Sequence, residues 1–235
     1  MKRWERLALG LAGLAMLGAA PPMDPVNPTC PLNPGWSTNQ QMQFTYFEQN
    51  GWKIIKAEGR IDKDVVPRLQ ATLKEHPDLD EIWLSSPGGD ARAGNAAGRL
   101  IRDTLDVVTR IPSGWACYSA CNFMFMGGRS RTIDPGGLFI VHMFTRTGDR
   151  STIDYSVAQG TDATTELIGE IEQDAAQLAS EDNDFMIRMF LSRELLTDIM
   201  YKQKAVKGSG PDQSTRRCLT MEEAKKYGVV NAVFE

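Results

Sequence analysis

From Lys53 to His142 the sequence alternates strand-length apolar runs with helix-length amphipathic ones, an order that few architectures accept. Phe44 to Phe47 and the run Lys53-Ile54-Ile55-Lys56-Ala57-Glu58-Gly59-Arg60-Ile61 read as strands. Asp62 or Asp64 then caps a helix to about Glu75, with Val65, Leu69 and Leu73 at helical spacing and His76-Pro77 as its stop. Glu81 to Ser85 is a short strand that runs into Ser86-Pro87-Gly88-Gly89, and Asp90 opens a helix whose apolar side holds Ala93, Ala96, Ala97, Leu100 and Ile101. Asp106 to Ile111, Arg131 to Ile133 and Gly137 to Val141 read as further strands, and Ala120 to Met126 as a helix closed by Gly127-Gly128. Strands separated by helices cannot pair as tight hairpins and need crossovers. The expectation is therefore a predominantly parallel α/β fold with its loops, and its site, at the carboxyl ends of the strands.

The later half is helical and charged. Between Thr161 and about Lys207, Leu167, Ile171, Ala175, Leu178, Phe185, Met189 and Leu196 are the apolar positions of two or three helices. Thr145 to Gly160 reads as a polar loop, and Gly208-Ser209-Gly210-Pro211 as a break. Thr220-Met221-Glu222-Glu223 carries a capping box for a short helix to Tyr227, and Gly228 to Phe234 reads as a closing strand. His76 is expected to be exposed, and Met124, Met126, Met186 and Met189 to fill the core.

Residues 1–20 bear on the compartment. Lys2, Arg3 and Arg6 precede an apolar run from Leu7 to Ala20 that closes on small residues, the pattern of a secretory signal peptide. The run is shorter than the roughly 20 residues a membrane-spanning helix needs. Residues 21–40, rich in proline and asparagine, are expected as an extended arm, and 41–235 as one domain. The formal charge of −4 becomes about −6 without the signal, and an acidic chain with no basic stripe is a poor nucleic-acid binder. Export to the periplasm or beyond means oxidising conditions, so Cys30, Cys117, Cys121 and Cys218 are disulfide candidates with three possible connectivities. Their spacing is not that of a zinc site, and no metal or cofactor is expected.

Three features between Leu84 and His142 match acyl-transfer chemistry. A serine hydroxyl needs a base to become a nucleophile, and imidazole is well matched to that task near neutral pH, which pairs Ser119 with His142. The oxyanion formed in such a step needs preorganised N–H donors. The Gly88-Gly89 turn can expose one at Gly89, and Ala120, directly after the serine at a helix N-terminus, can supply the other. A serine before an apolar helix is by itself most often an N-cap, a double glycine a turn, and a histidine at a strand end a structural hydrogen-bonding group; their order and spacing favour the joint reading.

Leu84 to Asp90, Cys117 to Cys121, Arg131 to Pro135 and Ile140-Val141-His142 resemble the consecutive motifs of the Clp protease proteolytic subunit (ClpP), within the ClpP/crotonase fold. Glu222 to Val230 resembles the C-terminal stretch of that family, so the likeness spans roughly Trp52 to Val233. It implies a repeated β-β-α superhelix with a mainly parallel sheet and a C-terminal helical segment, Ser119 as nucleophile, His142 as base, and Gly89 and Ala120 as oxyanion donors. It also implies a peptide or unfolded-protein substrate and a homo-oligomer assembled through the helix after the histidine. The Cys-x-Ser-x-Cys pattern and the signal peptide give a closer resemblance to exported ClpP-like proteins of bacteria. One position departs: where the family carries the aspartate that orients the histidine, this chain has Arg216, leaving Asp212 as the nearest preceding carboxylate and Asp149 and Asp154 as weaker substitutes.

The leading expectation is an exported serine peptidase acting on short or unfolded polypeptides. With no Walker A motif and a destination poor in ATP, no ATP-driven unfoldase partner is expected. The alternatives are a ClpP-fold binding or assembly protein that has lost the chemistry, a crotonase-type enzyme acting on coenzyme A thioesters, and a serine–lysine hydrolase. The last is disfavoured because no lysine occurs between Lys74 and Lys202. Cys117 and Cys121 flank Ser119, and a bond such as Cys121 to Cys218 would rigidify the elbow.

Overall fold

The computed structural model describes residues 21–104, 106–206 and 214–232. Strands β1 (Gln43–Gln49) and β2 (Trp52–Glu58) form an antiparallel hairpin joined at Asn50-Gly51, both with positive φ, as a two-residue turn of this twist requires. β3 (Glu81–Ser85), β4 (Val108–Ile111) and β6 (Ser130–Ile133) continue the sheet in parallel, in the order β1-β2-β3-β4-β6. A second sheet has the order β5-β7-β8, made by β5 (Ala116–Tyr118), β7 (Leu138–His142) and β8 (Arg216–Cys218). The α/β expectation holds. The strands are divided between two sheets, linked by a parallel bridge from Ser86 to Cys117, and two of them, β5 and β8, are only three residues long.

Helices α1 (Val65–Glu75) and α2 (Ala91–Thr104) are the crossovers between parallel strands. α1 buries Val65, Leu69 and Leu73 against the sheet, and Asp62, just before it, pairs with Arg68 at 2.6 Å. That pairing holds the Asp62 carboxyl down at about 2. α2 lies against α3 (Cys121–Gly127) at backbone contact distance. A Cβ on Gly94 would stand 2.5 Å from the Ala120 carbonyl oxygen, so only glycine lets the two helices come this close.

Four expectations are corrected. Thr145 to Gly160 is not a loop throughout: α4 (Arg150–Gln159) forms there, capped by the Asp149 carboxylate, which accepts from Thr152 N–H at 3.4 Å, and free of internal glycine or proline. The long α5 (Thr161–Arg188) follows, then a π-helical turn at Leu195–Ile199 and a 3-10 turn at Met200–Lys202. The described part of the closing segment, Gly228 to Ala232, is not a strand. The Arg131 side chain, 2 % exposed, donates to the carbonyls of Gly228 at 2.9 Å, Val229 at 3.0 Å and Gly128 at 2.7 Å, engaging carbonyls that a strand ladder would use. Burial pulls its guanidinium down to about 10. His76 is half-buried rather than exposed, stacked on Tyr46 with ring centres 4.0 Å apart.

The segment expected as an extended arm closes on itself. Asp24 N–H donates to Cys30 O at 2.9 Å and Leu32 N–H to Pro22 O at 2.8 Å, making a loop that covers β8. Asn27 Oδ1 accepts from Arg216 N–H at 2.7 Å, Thr29 Oγ1 accepts from Cys218 N–H at 3.1 Å, and a disulfide joins Cys30 to Cys218. The Arg216 guanidinium pairs with Asp24 at 3.1 Å, both side chains buried, at 7 % and 1 % exposure. Removing one member of a buried pair strands the other charge, so Asp24→Ala is expected to destabilise the protein by about 3–5 kcal/mol, measured as a shift in urea midpoint at unchanged slope.

Candidate active site

Ser119 lies between β5 and α3 with φ +58°, a left-handed conformation that costs a serine of order 1 kcal/mol and lifts its side chain out of the strand-to-helix path. Its N–H is tied to Ile140 O at 3.3 Å, and Asn122 Nδ2 donates to the same carbonyl at 2.7 Å. A disulfide joins Cys117 to Cys121 and closes the elbow around the serine, in place of the Cys121 to Cys218 bond offered as an example. No described cysteine is free. A cross-link over four positions limits the unfolded chain little, about 2 kcal/mol on the loop-entropy estimate, so its main effect is local geometry.

Register brings the histidine to the serine. β5 and β7 are parallel with Tyr118 opposite Ile140, so Ser119 and His142 leave the same end of the sheet. His142 Nε2 lies 2.6 Å from Ser119 Oγ, and the ring packs on Tyr118 with centres 4.6 Å apart. On the other side β8 runs antiparallel, with Arg216 opposite His142, and delivers Ser214. The Ser214 hydroxyl, in a residue 1 % exposed, is 2.9 Å from His142 Nδ1. A hydroxyl that accepts from Nδ1–H fixes the tautomer with a lone pair on Nε2, though a neutral acceptor is weaker than a carboxylate.

The glycine turn lies directly against the elbow. A Cβ on Gly88, φ +83°, would lie 2.6 Å from Ser119 Cβ and 3.2 Å from Ala120 N. Gly89, φ +151°, is held between two hydrogen bonds to Ile61, from Ile61 N–H to Gly88 O and from Asp90 N–H to Ile61 O, each 2.9 Å; any side chain there would overlap the Ile61 carbonyl. Among the described residues neither Gly89 N–H nor Ala120 N–H is committed to a hydrogen bond, and both residues line one cavity with Ser119 and His142. Two available backbone donors beside a serine–imidazole pair are what a developing oxyanion requires.

That cavity has a volume of about 540 Å³ and apolar walls that include Pro87, Phe123, Phe144, Leu178 and Met200. Arg60, Asp182 and Tyr201 also line it. Burial and the nearby Glu181 push the Asp182 carboxyl up to about 7, and burial together with Asp182 pushes the Tyr201 hydroxyl up to about 12.

Of the residues singled out in the sequence, Ser119, His142, Gly89 and Ala120 converge. Asp212 lies outside the described residues. Asp149 caps α4 and pairs with Arg146 at 3.5 Å, Asp154 is exposed on α4, and neither is hydrogen-bonded to His142. Arg216 turns its guanidinium to Asp24. Ser214 had no signal, since its role follows from a strand pairing about 70 residues away from the histidine in sequence. Asp182 did have one: it occupies a slot in the apolar stripe of α5 between Leu178 and Phe185.

Among solved structures, a mutant form of ClpP1 from Listeria monocytogenes shares the fold at a TM-score of 0.50 and 18% sequence identity, over 77% of this chain and 91% of that one. No family model matches the chain, and no curated protein does. At this identity the likeness establishes a ClpP-like mixed α/β fold.

A carboxyl held at about 7 in the folded protein and near its ordinary value when unfolded binds its proton more tightly in the fold, so its contribution to stability falls as pH rises from about 4 to 7. Asp182→Asn is therefore expected to melt above the wild type at pH 8, with the advantage gone near pH 4, as read by thermal unfolding at the two pH values.

Proposed function

We propose that the protein is a ClpP-like serine peptidase that cleaves short or unfolded polypeptides through an acyl-enzyme on Ser119. The observation that carries this reading is the 2.6 Å approach of His142 Nε2 to Ser119 Oγ at a left-handed elbow, beside the uncommitted N–H groups of Gly89 and Ala120. In the first step Ser119 Oγ attacks the scissile carbonyl carbon while His142 takes the hydroxyl proton. The tetrahedral oxyanion is held by the two N–H groups, and the C–N bond breaks as His142 returns the proton to the leaving amine. Water then attacks the acyl carbon as His142 takes its proton, and the C–O bond to Ser119 breaks as His142 returns that proton to Ser119 Oγ, releasing the acid and restoring the hydroxyl. Ser214, and any carboxylate that Asp212 brings, would hold the imidazole during both steps.

Export to an oxidising compartment is part of the same reading, supported by the two disulfides and by the signal-like residues 1–20, which lie outside the described residues. Among the described residues no helix is long and apolar enough to cross a membrane. A second reading, a binding protein that keeps the fold without the chemistry, draws on one observation: Arg216 in the aspartate position is paired away from the histidine.

Labelling of the purified protein with a serine-reactive fluorophosphonate, read by intact mass, separates the two. The peptidase reading expects one adduct, lost in Ser119→Ala and in His142→Ala; no adduct on the wild type under oxidising conditions would favour the binding protein. Ser214→Ala is expected to slow labelling by about tenfold, the kinetic equivalent of one neutral hydrogen bond. The family likeness also implies an oligomer, and α4, α5 and the turn after α5 leave Tyr155 68 %, Ile168 52 % and Phe190 87 % exposed in a single chain. Sedimentation velocity is expected to show a species larger than a monomer.

A further inference from the structure

The α5 face that lines the Ser119 cavity carries Ala175, Leu178, Ala179 and Asp182, spaced three and four apart so that all four project to one side. Three are apolar, and the fourth is a carboxylate where the pattern calls for another apolar residue. Two neighbouring acids, Asp174 and Glu181, both pair with Arg92, at 2.6 and 3.3 Å, and the remaining acids of this helix are exposed to solvent. Asp182 makes no hydrogen bond or ion pair among the described residues. Arg60 borders the same cavity but makes no ion pair with it. A lone carboxylate among Phe123, Leu178 and Met200 costs the fold free energy, and selection against such a cost is relieved if the group serves a ligand.

On the reading that Ser119 is the nucleophile, we propose that Asp182 sets substrate specificity by receiving a side chain that ends in a primary ammonium or a guanidinium, that of lysine or arginine. The cavity suits such a group. A lysine or arginine side chain lays its methylenes along apolar walls and presents its charge at the tip, and about 540 Å³ is within the range of small-molecule sites. The cation would supply the counter-charge that the fold omits, at a half-buried position where water screens it less than on the open surface. Tyr201, beside Asp182 in the same wall, offers a hydroxyl to the same ligand. Glu181 is the titratable group that raises Asp182 besides burial, Asp182 in turn raises Tyr201, and Arg60 and His142 share the cavity. Because Asp182 loses its proton near neutrality, the preference for a cation should grow between pH 6 and pH 8.

The test uses the full mature protein carrying Ser119→Ala, which cannot turn substrate over, titrated calorimetrically at pH 8. The probes are N-acetylated tripeptide amides that differ only in a last residue of lysine, arginine, leucine or glutamate. The proposal expects the lysine or arginine peptide to bind at least about tenfold more tightly than the leucine peptide. It also expects that margin to shrink at pH 6, and to fall within about twofold when Asp182→Asn is added. Equal affinity for leucine, no binding by any peptide, or a cation preference that survives Asp182→Asn would overturn it; a melting curve of the double variant shows that it is folded. Fluorophosphonate labelling of the wild type keeps the two readings apart. Labelling without a basic preference removes only this proposal, whereas a basic preference without labelling removes the peptidase and leaves a cation-binding pocket.

Discussion

Strand β7 is paired on both sides, with Ile140 opposite Tyr118 in β5 and His142 opposite Arg216 in β8, and the contacts of the imidazole with Ser119 and Ser214 follow from those two registers. A slip of one residue would turn alternate side chains to the other face of the sheet and separate His142 from both Ser119 and Ser214. Because β5 and β8 are three residues each, their own ladders hold that register weakly. It is secured from outside: the bridge from Ser86 to Cys117 fixes β5, and the loop of residues 22–32 fixes β8 through Asn27, Thr29 and Cys30.

The two disulfides act on different scales. Cys30–Cys218 joins positions 188 apart and on the loop-entropy estimate contributes about 5 kcal/mol by restricting the unfolded chain. Cys117–Cys121 contributes less than half of that and acts where the backbone is strained, holding Ser119 at φ +58° beneath the Gly88-Gly89 turn. The buried Arg216–Asp24 pair belongs with the first of these. Arg216 serves to anchor the N-terminal loop, and the hydroxyl of Ser214 stands at His142 Nδ1.

Much of this was legible in the chain. The glycine turn, the serine ahead of an apolar helix and the histidine at a strand end were read from residue type and order, since each depends on local backbone chemistry. The helices of the first half were likewise readable from the spacing of Val65, Leu69 and Leu73 and of the alanines in α2. β5 and β8 were not, because three residues carry no periodicity. α4 was missed because only Ser156 on it is buried, which leaves no apolar stripe to read. The closing segment failed as a strand for a tertiary reason: the Arg131 side chain engages the carbonyls of Gly228 and Val229.

The sequence by itself determined the α/β class, the elbow at Ser119 and the turn at Gly88-Gly89, because strand and helix periodicity and glycine's access to positive φ are properties of short segments. Which cysteines pair, which hydroxyl meets His142 Nδ1 and which acid enters the Ser119 cavity were decided only by the tertiary structure. Those relations join residues as much as 188 positions apart, and nothing in a local pattern fixes a distance across two sheets.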